Sequence, residues 1–176
     1  MLETDPILTE PFTRNDYQQL PEGFPAELLD GRLVRSPSPT FWHQTLVGKI
    51  MSRLQRLVDP PRVVPSPIDV FIDRYNVLQP DVIVVAEEDR ARPGARIAPL
   101  PVMVFEVLSP STARRDRLVK AGTYLRAGVR EVWLIDPDGG EIEVRAPDGE
   151  ARFSGDEDAG STVLPEFRLS WNALSQ

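Results

Sequence analysis

The sequence contains no cysteine and a single histidine, His43. Without cysteine the chain has no disulfide framework, no thiol catalysis and no cysteine-ligated zinc, and one histidine excludes a multi-histidine metal site within one chain. Any metal ion must therefore be held by oxygen atoms. The sequence also lacks a run of about 18 apolar residues and a basic-then-apolar signal sequence, so we expect a soluble, cytoplasmic protein that does not span a membrane.

Acidic residues outnumber basic residues, and the formal charge of the 176-residue chain is −7. This balance argues against a protein that coats nucleic acid through overall basicity, but it is compatible with a local basic groove. The length suits one domain with a sizeable core. We predict one domain over residues 13–176, preceded by an N-terminal arm, residues 1–12, which has little periodicity.

Apolar periodicity predicts an α/β domain. Helical spacing over residues 40–58 predicts an amphipathic helix, and cap residues predict a second helix over residues 113–127, ended by the following glycine. Asp30 and Gly31 form the dipeptide most favoured in a tight hairpin turn, which places Glu27 on the first strand of that hairpin. Further strands are predicted at residues 67–73, after Pro80, after Pro101, in "REVWLID", in "EIEVRA" and, weakly, around Thr162.

The segment "VFEVLSPS", residues 104–111, places Glu106 inside an apolar run. Burying an ionised carboxylate costs several kcal/mol unless another group compensates its charge. Asp81 begins the neighbouring apolar segment "PDVIVV"; if these strands pair, both carboxylates reach the same end of the sheet, where Glu27 can join them. Two carboxylates about 4 Å apart repel by roughly 4 kcal/mol at an effective dielectric constant of 20. A divalent cation would offset this repulsion, and Mg²⁺ needs only one or two carboxylates plus water and phosphate oxygens.

The two strand acids, and the lysine of the predicted second helix, Lys120, also have simpler interpretations. Glu106 would be a strand-end acid that reaches solvent, and Asp81 would be an acid in a turn after proline. Lys120 would be a solvated helix lysine paired with Asp116, four residues earlier. The helical periodicity places Leu118 in the apolar stripe and does not decide whether Lys120 reaches the acids.

Three stretches resemble the Uma2 family of restriction endonucleases, which belongs to the PD-(D/E)xK nuclease superfamily. They are "ELLDGRLV", "QPDVIVV" and "FEVLSPSTARRDRLVKAGTYLRAGVREVWLIDP", and the resemblance extends over most of residues 13–170. It implies an α/β fold with a restriction-endonuclease-like mixed central sheet flanked by helices. An N-terminal hairpin and C-terminal strands would be additions to this core.

The resemblance also implies a catalytic site. Asp81 and Glu106 would bind Mg²⁺, for which Mn²⁺ would substitute, and Glu27 would be a further ligand or orienting group. The chain departs from the superfamily signature, because two residues after Glu106 stands Leu108 rather than lysine. In the Uma2 pattern the basic residue comes from the following helix, and here that residue is Lys120.

The function implied is a magnesium-dependent endonuclease that hydrolyses DNA. The arginines of "ARRDR", Arg114, Arg115 and Arg117, would help to place the DNA backbone, and His43 and Tyr124 would be accessory residues. By analogy with nucleases that cut both strands, we expect a homodimer. The displaced lysine and the acidic charge motivate an alternative, a non-catalytic module that binds nucleic acid or protein. Hydrolysis of another phosphate ester by the same ion site is a third interpretation.

Overall fold

The computed structural model describes residues 11–21, 23–35, 38–90 and 98–176. Residues 1–10 of the predicted N-terminal arm lie outside these ranges, and so do residues 91–97 of the connection between two central strands. Within the described ranges, no helix combines the length and the apolar character that a membrane span needs.

The described part of the chain contains both helices and strands. The helices are α1 (Arg14–Tyr17), α2 (Phe41–Leu54), α3 (Ala113–Arg115), α4 (Ala121–Ala127) and α5 (Trp171–Ser175). The strands are β1 (Ala26–Leu29), β2 (Arg32–Arg35), β3 (Val63–Pro65), β4 (Val70–Phe71), β5 (Val77–Leu78), β6 (Val82–Val84), β7 (Met103–Val107), β8 (Glu131–Asp136), β9 (Glu141–Ala146), β10 (Gly149–Ser154), β11 (Ala159–Gly160) and β12 (Arg168–Leu169). A π-helical turn, Asp116–Lys120, joins α3 to α4.

The central sheet has six strands in the order β10-β9-β8-β7-β6-β3. β7 and β8 are parallel and the other neighbouring pairs are antiparallel, so the sheet is mixed. β6 and β7 are buried along their whole length, as their continuous apolar sequences predict. One face of the sheet packs against α2 and the C-terminal segment, and the other packs against α4 and a smaller sheet. The predicted mixed sheet flanked by helices is therefore confirmed.

The smaller sheet, in the order β2-β1-β5-β4, contains the predicted N-terminal hairpin. Asp30 and Gly31 have φ angles of 48° and 74°, and a two-residue type I′ turn requires positive φ at both positions. Before the hairpin, Thr13 and Asp16 cap α1 reciprocally. Every residue of β1 is buried, which brings Glu27 into the interior.

The strand predicted at residues 67–73 is wrong in extent. Only β4 forms there, and it pairs in the smaller sheet, whereas the strand beside β6 in the central sheet is β3. The Asp73 carboxylate accepts hydrogen bonds of 2.7 Å from the Tyr75 amide and 3.0 Å from the Asn76 side chain. Such local side-chain bonds favour a turn and compete with strand pairing, so the alternating sequence ends in a turn instead.

Several element boundaries also differ from the predictions. α2 ends at Leu54 rather than at residue 58, and Leu57 beyond it is 41% exposed. Gly128, with a φ of 108°, ends α4 in the left-handed conformation as predicted. Strand β10 was not predicted because Phe153 is its one large apolar side chain. Thr162 lies between β11 and β12 rather than within a strand.

Candidate active site

Asp81 and Glu106 lie at the same end of the central sheet. β6 pairs with β7 so that Val82 is opposite Phe105, which makes the preceding Asp81 the cross-strand neighbour of Glu106. Residues directly opposite each other share one face, and here that face is the one that packs against α4. The Val107 amide donates a hydrogen bond of 2.7 Å to Asp81 Oδ2, which fixes this side chain at the end of β7. The predicted pairing of the two strands is therefore confirmed.

The Lys120 ammonium lies between two carboxylates. Its Nζ is 2.7 Å from Glu106 Oε1 and 2.9 Å from Glu27 Oε1, and the lysine side chain is only 3% exposed. Leu108, at the position where the superfamily signature has lysine, is buried in the apolar core instead. The strand itself supplies no cation to Glu106. The helical segment after β7 supplies it instead, as Lys120.

The π-helical turn explains why the helical periodicity left the position of Lys120 undecided. A π-helical turn holds more residues than an α-helical turn, so it changes which side chains share a face. Asp116 and Lys120 are both buried, whereas Leu118 is 68% exposed. The prediction that Leu118 belongs to the apolar stripe is wrong, because the π turn rotates it out of line with Ala121, which is buried. π turns of this kind are frequent at functional sites.

Glu27 reaches the same cluster from the smaller sheet. Its Oε1 accepts a hydrogen bond of 2.7 Å from the Gln79 amide as well as the contact from Lys120. Its Oε2 is 3.7 Å from Arg115 Nη2. Glu27 is 2% exposed, so its position is fixed by these partners rather than by solvent. The hairpin thus contributes one acid to a site formed mainly by the central sheet.

His43 and Tyr124 each contact one of the two strand-end acids. His43 Nε2 is 3.2 Å from Asp81 Oδ2, and Tyr124 donates a hydrogen bond of 2.9 Å to Glu106 Oε1. Burial lowers the pKa of His43, but the hydrogen bond and charge of Asp81 outweigh it and raise this pKa above its ordinary value. Burial raises the pKa of Tyr124, and the Glu106 charge raises it further, so the phenol stays protonated and donates. Both residues orient an acid.

Asp116 is a member of the cluster that the sequence analysis did not propose. It is 3% exposed, and its Oδ1 lies 3.8 Å from Lys120 Nζ and 3.6 Å from Arg115 Nε. The spacing of four residues between Asp116 and Lys120 was the available signal. The simpler interpretation of that pair, a solvated ion pair, is wrong, because both side chains face the interior, where Glu27 and Glu106 lie on the other side of the lysine.

Two of the three predicted nucleic-acid-binding arginines, Arg114 and Arg115, precede Asp116 of the cluster directly in the sequence. Arg115 lines the same pocket as Lys120 and contacts Glu27 and Asp116. Arg114 is exposed and forms no ion pair with the residues that the structure describes. Its charge is therefore available to a ligand, whereas the charge of Arg115 is shared with two carboxylates.

Arg117 points to a different part of the molecule. Its guanidinium is 2.7 Å from Asp136, 3.1 Å from Glu141 and 3.3 Å from Glu143, which lie on β8 and β9. Burial lowers the pKa of Arg117, but the hydrogen bond and charge of Asp136 outweigh it and raise this pKa. Three carboxylates already pair with this arginine, so its charge is less available to nucleic acid than that of Arg114.

The charges of the cluster are unbalanced in favour of the acids. Burial raises the pKa of Glu106 well above its ordinary value; the Lys120 charge lowers it, and the charges of Asp116, Asp81 and Glu27 raise it further. Burial lowers the pKa of Lys120, but the charges of Glu106, Glu27 and Asp116 outweigh burial and raise it. The lysine is therefore a stable ammonium. An additional positive charge near Glu106 would favour its ionised form.

The cluster forms the floor of a pocket of about 510 Å³. This volume falls within the range of small-molecule sites, roughly 300–1,000 Å³. One wall is the first turn of α2 with Trp42 and His43, and the other is the loop formed by residues 109–112. The walls carry many hydroxyl and amide groups, from Ser38, Thr40, Gln44, Ser66, Ser109, Ser111 and Thr112. Such neutral donors suit an anionic ligand without adding net charge.

The donor atoms at the sheet end fit a hard cation such as Mg²⁺. Among the described residues, no donor reaches Asp81 Oδ1 or Glu106 Oε2, and the contacts of each carboxylate are made by its other oxygen. Within the same residues, no group of three or more His, Asp or Glu side chains is arranged to hold a metal. A cation at this end of the sheet would be held in the two-carboxylate mode, in which water and substrate phosphate complete the shell.

The mixed sheet, with its acids at one end and its flanking helices, defines a restriction-endonuclease-like fold. The sequence profile of the Uma2 family, described as "Putative restriction endonuclease", matches residues 14–172 of the chain, which therefore belongs to this family. A crystal structure of a "putative nuclease" from Anabaena variabilis is similar to the chain, with a TM-score of 0.83, 24% sequence identity, and coverage of 94% of this chain and 98% of the other. None of the curated proteins compared with the chain matches it.

Proposed function

We propose that the protein is a magnesium-dependent endonuclease that hydrolyses DNA phosphodiester bonds. The observation that carries this proposal is the Lys120 ammonium, 2.7 Å from Glu106 at the sheet end where Asp81 is the cross-strand neighbour. Acids and a lysine at one sheet end are the arrangement that the superfamily resemblance implies. The family description, and the description of the Anabaena variabilis relative as a nuclease, support the same function.

Asp81 and Glu106 would hold the magnesium ion through their free oxygens, and Mn²⁺ would substitute for Mg²⁺. When bound, the ion supplies positive charge that neutralises phosphate oxygens and lowers the pKa of an attacking water. The protein prepares Asp81 for this role with the Val107 amide and His43, which both contact Oδ2 and leave Oδ1 free. Tyr124 holds the other acid in the same way, by donating to Glu106 Oε1.

Lys120 would stabilise the negative charge that develops on the phosphate during hydrolysis. A buried ammonium is effective here because few water molecules screen it. Glu27 fixes the position of Lys120 from the side opposite Glu106, and the Gln79 amide fixes Glu27. Glu27 therefore acts as a positioning residue for the lysine in this proposal.

The arginine side of the pocket would place the DNA backbone. Arg114, which is exposed, would contact phosphate directly, and Arg115 would do so from the pocket wall. The acidic net charge is not an obstacle, since the local arginines and the bound cation supply the positive charge that the phosphates need. A homodimer would supply one such site for each DNA strand, and sedimentation of the purified protein would measure its oligomeric state.

Cleavage of supercoiled plasmid in Mg²⁺ or Mn²⁺ tests the proposal. The wild-type protein is expected to nick or linearise the plasmid, and EDTA is expected to stop the reaction. Glu106→Gln keeps the size of the side chain but removes the anionic ligand, so it is expected to abolish cleavage. Glu166→Gln, an exposed glutamate in the C-terminal segment, makes the same change of charge away from the pocket and should cut normally. No cleavage by the wild type, or equal cleavage by Glu106→Gln, would reject the proposal.

The non-catalytic alternative predicts a different calorimetric result. One of its two motivations is the displaced lysine, and the position of Lys120 beside Glu106 weakens that motivation. A binding module would give no saturable heat with Mn²⁺, whereas the proposed nuclease should give a heat that Asp81→Asn removes. Hydrolysis of a small phosphate diester, but not of DNA, would instead favour the third interpretation, another phosphate ester as substrate.

A further inference from the structure

Asp116 has an unusual environment for a buried carboxylate. Its Oδ1 is fully enclosed and forms no hydrogen bond with the described residues. Leaving such an oxygen without a hydrogen-bond donor in the interior is costly, even where cations lie nearby. Asp116 also lines the pocket that contains Glu106 and Lys120. The position therefore indicates a partner that Asp116 acquires when the site changes.

Two cations lie just beyond hydrogen-bonding distance of this oxygen. Lys120 Nζ is 3.8 Å away, and Arg115 Nε is 3.6 Å away. Charge-assisted hydrogen bonds are about 2.7–2.9 Å long, so Lys120 needs to move by only about 1 Å to bond Asp116. The lysine side chain has a flexible four-carbon stem, which permits a shift of this size without movement of the backbone.

Lys120 has a reason to move when Glu106 binds a cation. Its ammonium is bonded to Glu106 Oε1 and Glu27 Oε1, and Tyr124 also donates to Glu106 Oε1. A divalent cation held by Glu106 would repel the neighbouring ammonium, since like charges in the interior are poorly screened. A lysine that leaves Glu106 must find another acceptor, because it is buried.

We propose that Asp116 is a positioning residue that receives the Lys120 ammonium when Glu106 binds a divalent cation. Glu27 stays bonded to the lysine in both arrangements, so the ammonium pivots about Glu27 rather than leaving the pocket. The π-helical turn makes this exchange possible because it buries Asp116 and Lys120 on one side of the helix. This inference rests on the proposed cation site at Asp81 and Glu106.

The proposal predicts that the effects of Asp116 and Lys120 on cation affinity depend on each other. The dissociation constant of Mn²⁺ is measured by calorimetry, without substrate, for the wild type, Asp116→Asn, Lys120→Met and the double variant. Asp116→Asn is expected to weaken Mn²⁺ binding about tenfold when Lys120 is present and less than twofold in the Lys120→Met background. With Lys120 present, Asp116→Asn leaves the displaced ammonium without a carboxylate acceptor. In the Lys120→Met background there is no ammonium to be displaced, so the loss of Asp116 matters little.

A control separates this effect from a simple loss of negative charge. Asp138→Asn removes a charge from an exposed residue on the rim of the same pocket, and it should change Mn²⁺ affinity equally in both backgrounds. Asp116→Glu keeps a carboxylate and should restore most of the affinity, which also covers the case in which Asp116→Asn does not fold. Circular dichroism and thermal unfolding check the fold of each variant.

The outcomes distinguish this inference from the proposed function. If Asp116→Asn weakens Mn²⁺ binding equally with and without Lys120, or in neither case, Asp116 acts only through its charge or not at all, and the inference is overturned while the cation site stands. If the wild type binds no Mn²⁺, the cation site itself is rejected and the inference fails with it.

Discussion

Glu131 and Glu106 are buried carboxylates on neighbouring parallel strands, but they lie at opposite ends and on opposite faces of the central sheet. Glu131 begins β8 and is surrounded by neutral donors. It accepts hydrogen bonds from Trp133 Nε1 at 3.0 Å, Ser161 Oγ at 2.7 Å, the Thr162 amide at 2.6 Å, Thr162 Oγ1 at 2.7 Å and the Val163 amide at 3.2 Å. Glu106, near the end of β7, has instead one ammonium, one phenol and several acids around it.

The two environments move the pKa of the carboxyl group in opposite directions. Burial raises the pKa of Glu131, but the hydrogen bonds from Thr162, Ser161 and Trp133 outweigh it, so the pKa is lowered. Burial raises the pKa of Glu106, and the neighbouring acids offset much of the help from Lys120. Neutral donors fix one charge permanently, which suits a structural role that joins β8 to the C-terminal segment. The acids around Glu106 leave a carboxylate that gains from added positive charge, which suits a site that binds a cation.

Among the predictions, Lys120→Met has the largest expected effect, a loss of DNA cleavage. It tests whether the function of Glu106 depends on the neighbouring ammonium. DNA cleavage should fall by about 10²–10³-fold, the loss seen when one preorganised charge-stabilising donor is removed. Mn²⁺ affinity should not fall, because the ammonium that competes for Glu106 is gone. Plasmid cleavage rates and calorimetry measure the two quantities.

Lys49→Met is the matched control for this variant. Lys49 is on α2 and donates to the Leu174 carbonyl at 2.9 Å, away from the acids. The Lys49→Met variant should cleave DNA at the wild-type rate per folded molecule. If Lys120→Met cleaves DNA at the wild-type rate, Lys120 has no part in the chemistry. Glu106 and Glu131 would then differ only in the charges that surround them.

Glu131→Gln should destabilise the fold by about 3 kcal/mol at neutral pH, because hydrogen bonds to a buried charged group are lost. Since the pKa of Glu131 is lowered in the folded state, its contribution is present above the unfolded pKa of about 4.3 and is lost as pH falls through the folded pKa. The cost of Glu131→Gln should therefore shrink in acid. Urea unfolding at a series of pH values measures it.

Glu106→Gln should show the opposite pH dependence in the same experiment. Its folded pKa is raised, so the wild-type carboxyl favours folding below about pH 4.3 and loses this advantage as pH rises through the folded pKa. Relative to the wild type, Glu106→Gln should therefore become more stable as pH rises. Parallel pH profiles for the two variants would contradict the comparison, since both glutamates would then be structural acids.

Local sequence patterns were sufficient to predict the elements that carry Asp81 and Glu106. The Asp30–Gly31 turn, the amphipathic α2 and the two apolar strands follow from spacing within a few residues. Once β6 and β7 pair, the positions of the two acids at one end of the sheet follow from the register. These parts were predictable because each depends on neighbouring residues or on a single strand pairing.

The parts that were missed depend on partners distant in sequence or on uncommon helix geometry. Asp116 looked solvated because a charged pair on an α-helix normally faces water, and a π turn leaves no distinctive pattern in a single sequence. The role of Thr162 was missed because its partner, Glu131, is distant in sequence. It was predicted within a strand, whereas its amide and hydroxyl donate to Glu131 across the fold.

Arg114 and Arg117 allow the same kind of comparison between two arginines. The expected effect, a few-fold change in DNA binding, is the smallest of the predictions. Arg114 has no ion pair with the described residues, whereas Arg117 is bound by three carboxylates. With cleavage blocked by Glu106→Gln, Arg114→Gln should weaken DNA binding a few-fold and reduce the slope of log Kd against log salt by about one, as for the loss of one phosphate contact. Arg117→Gln should leave that slope unchanged and instead lower the melting temperature. If Arg117→Gln reduces the slope as much as Arg114→Gln, the carboxylates do not neutralise it, and Arg117 belongs with the DNA-binding arginines after all.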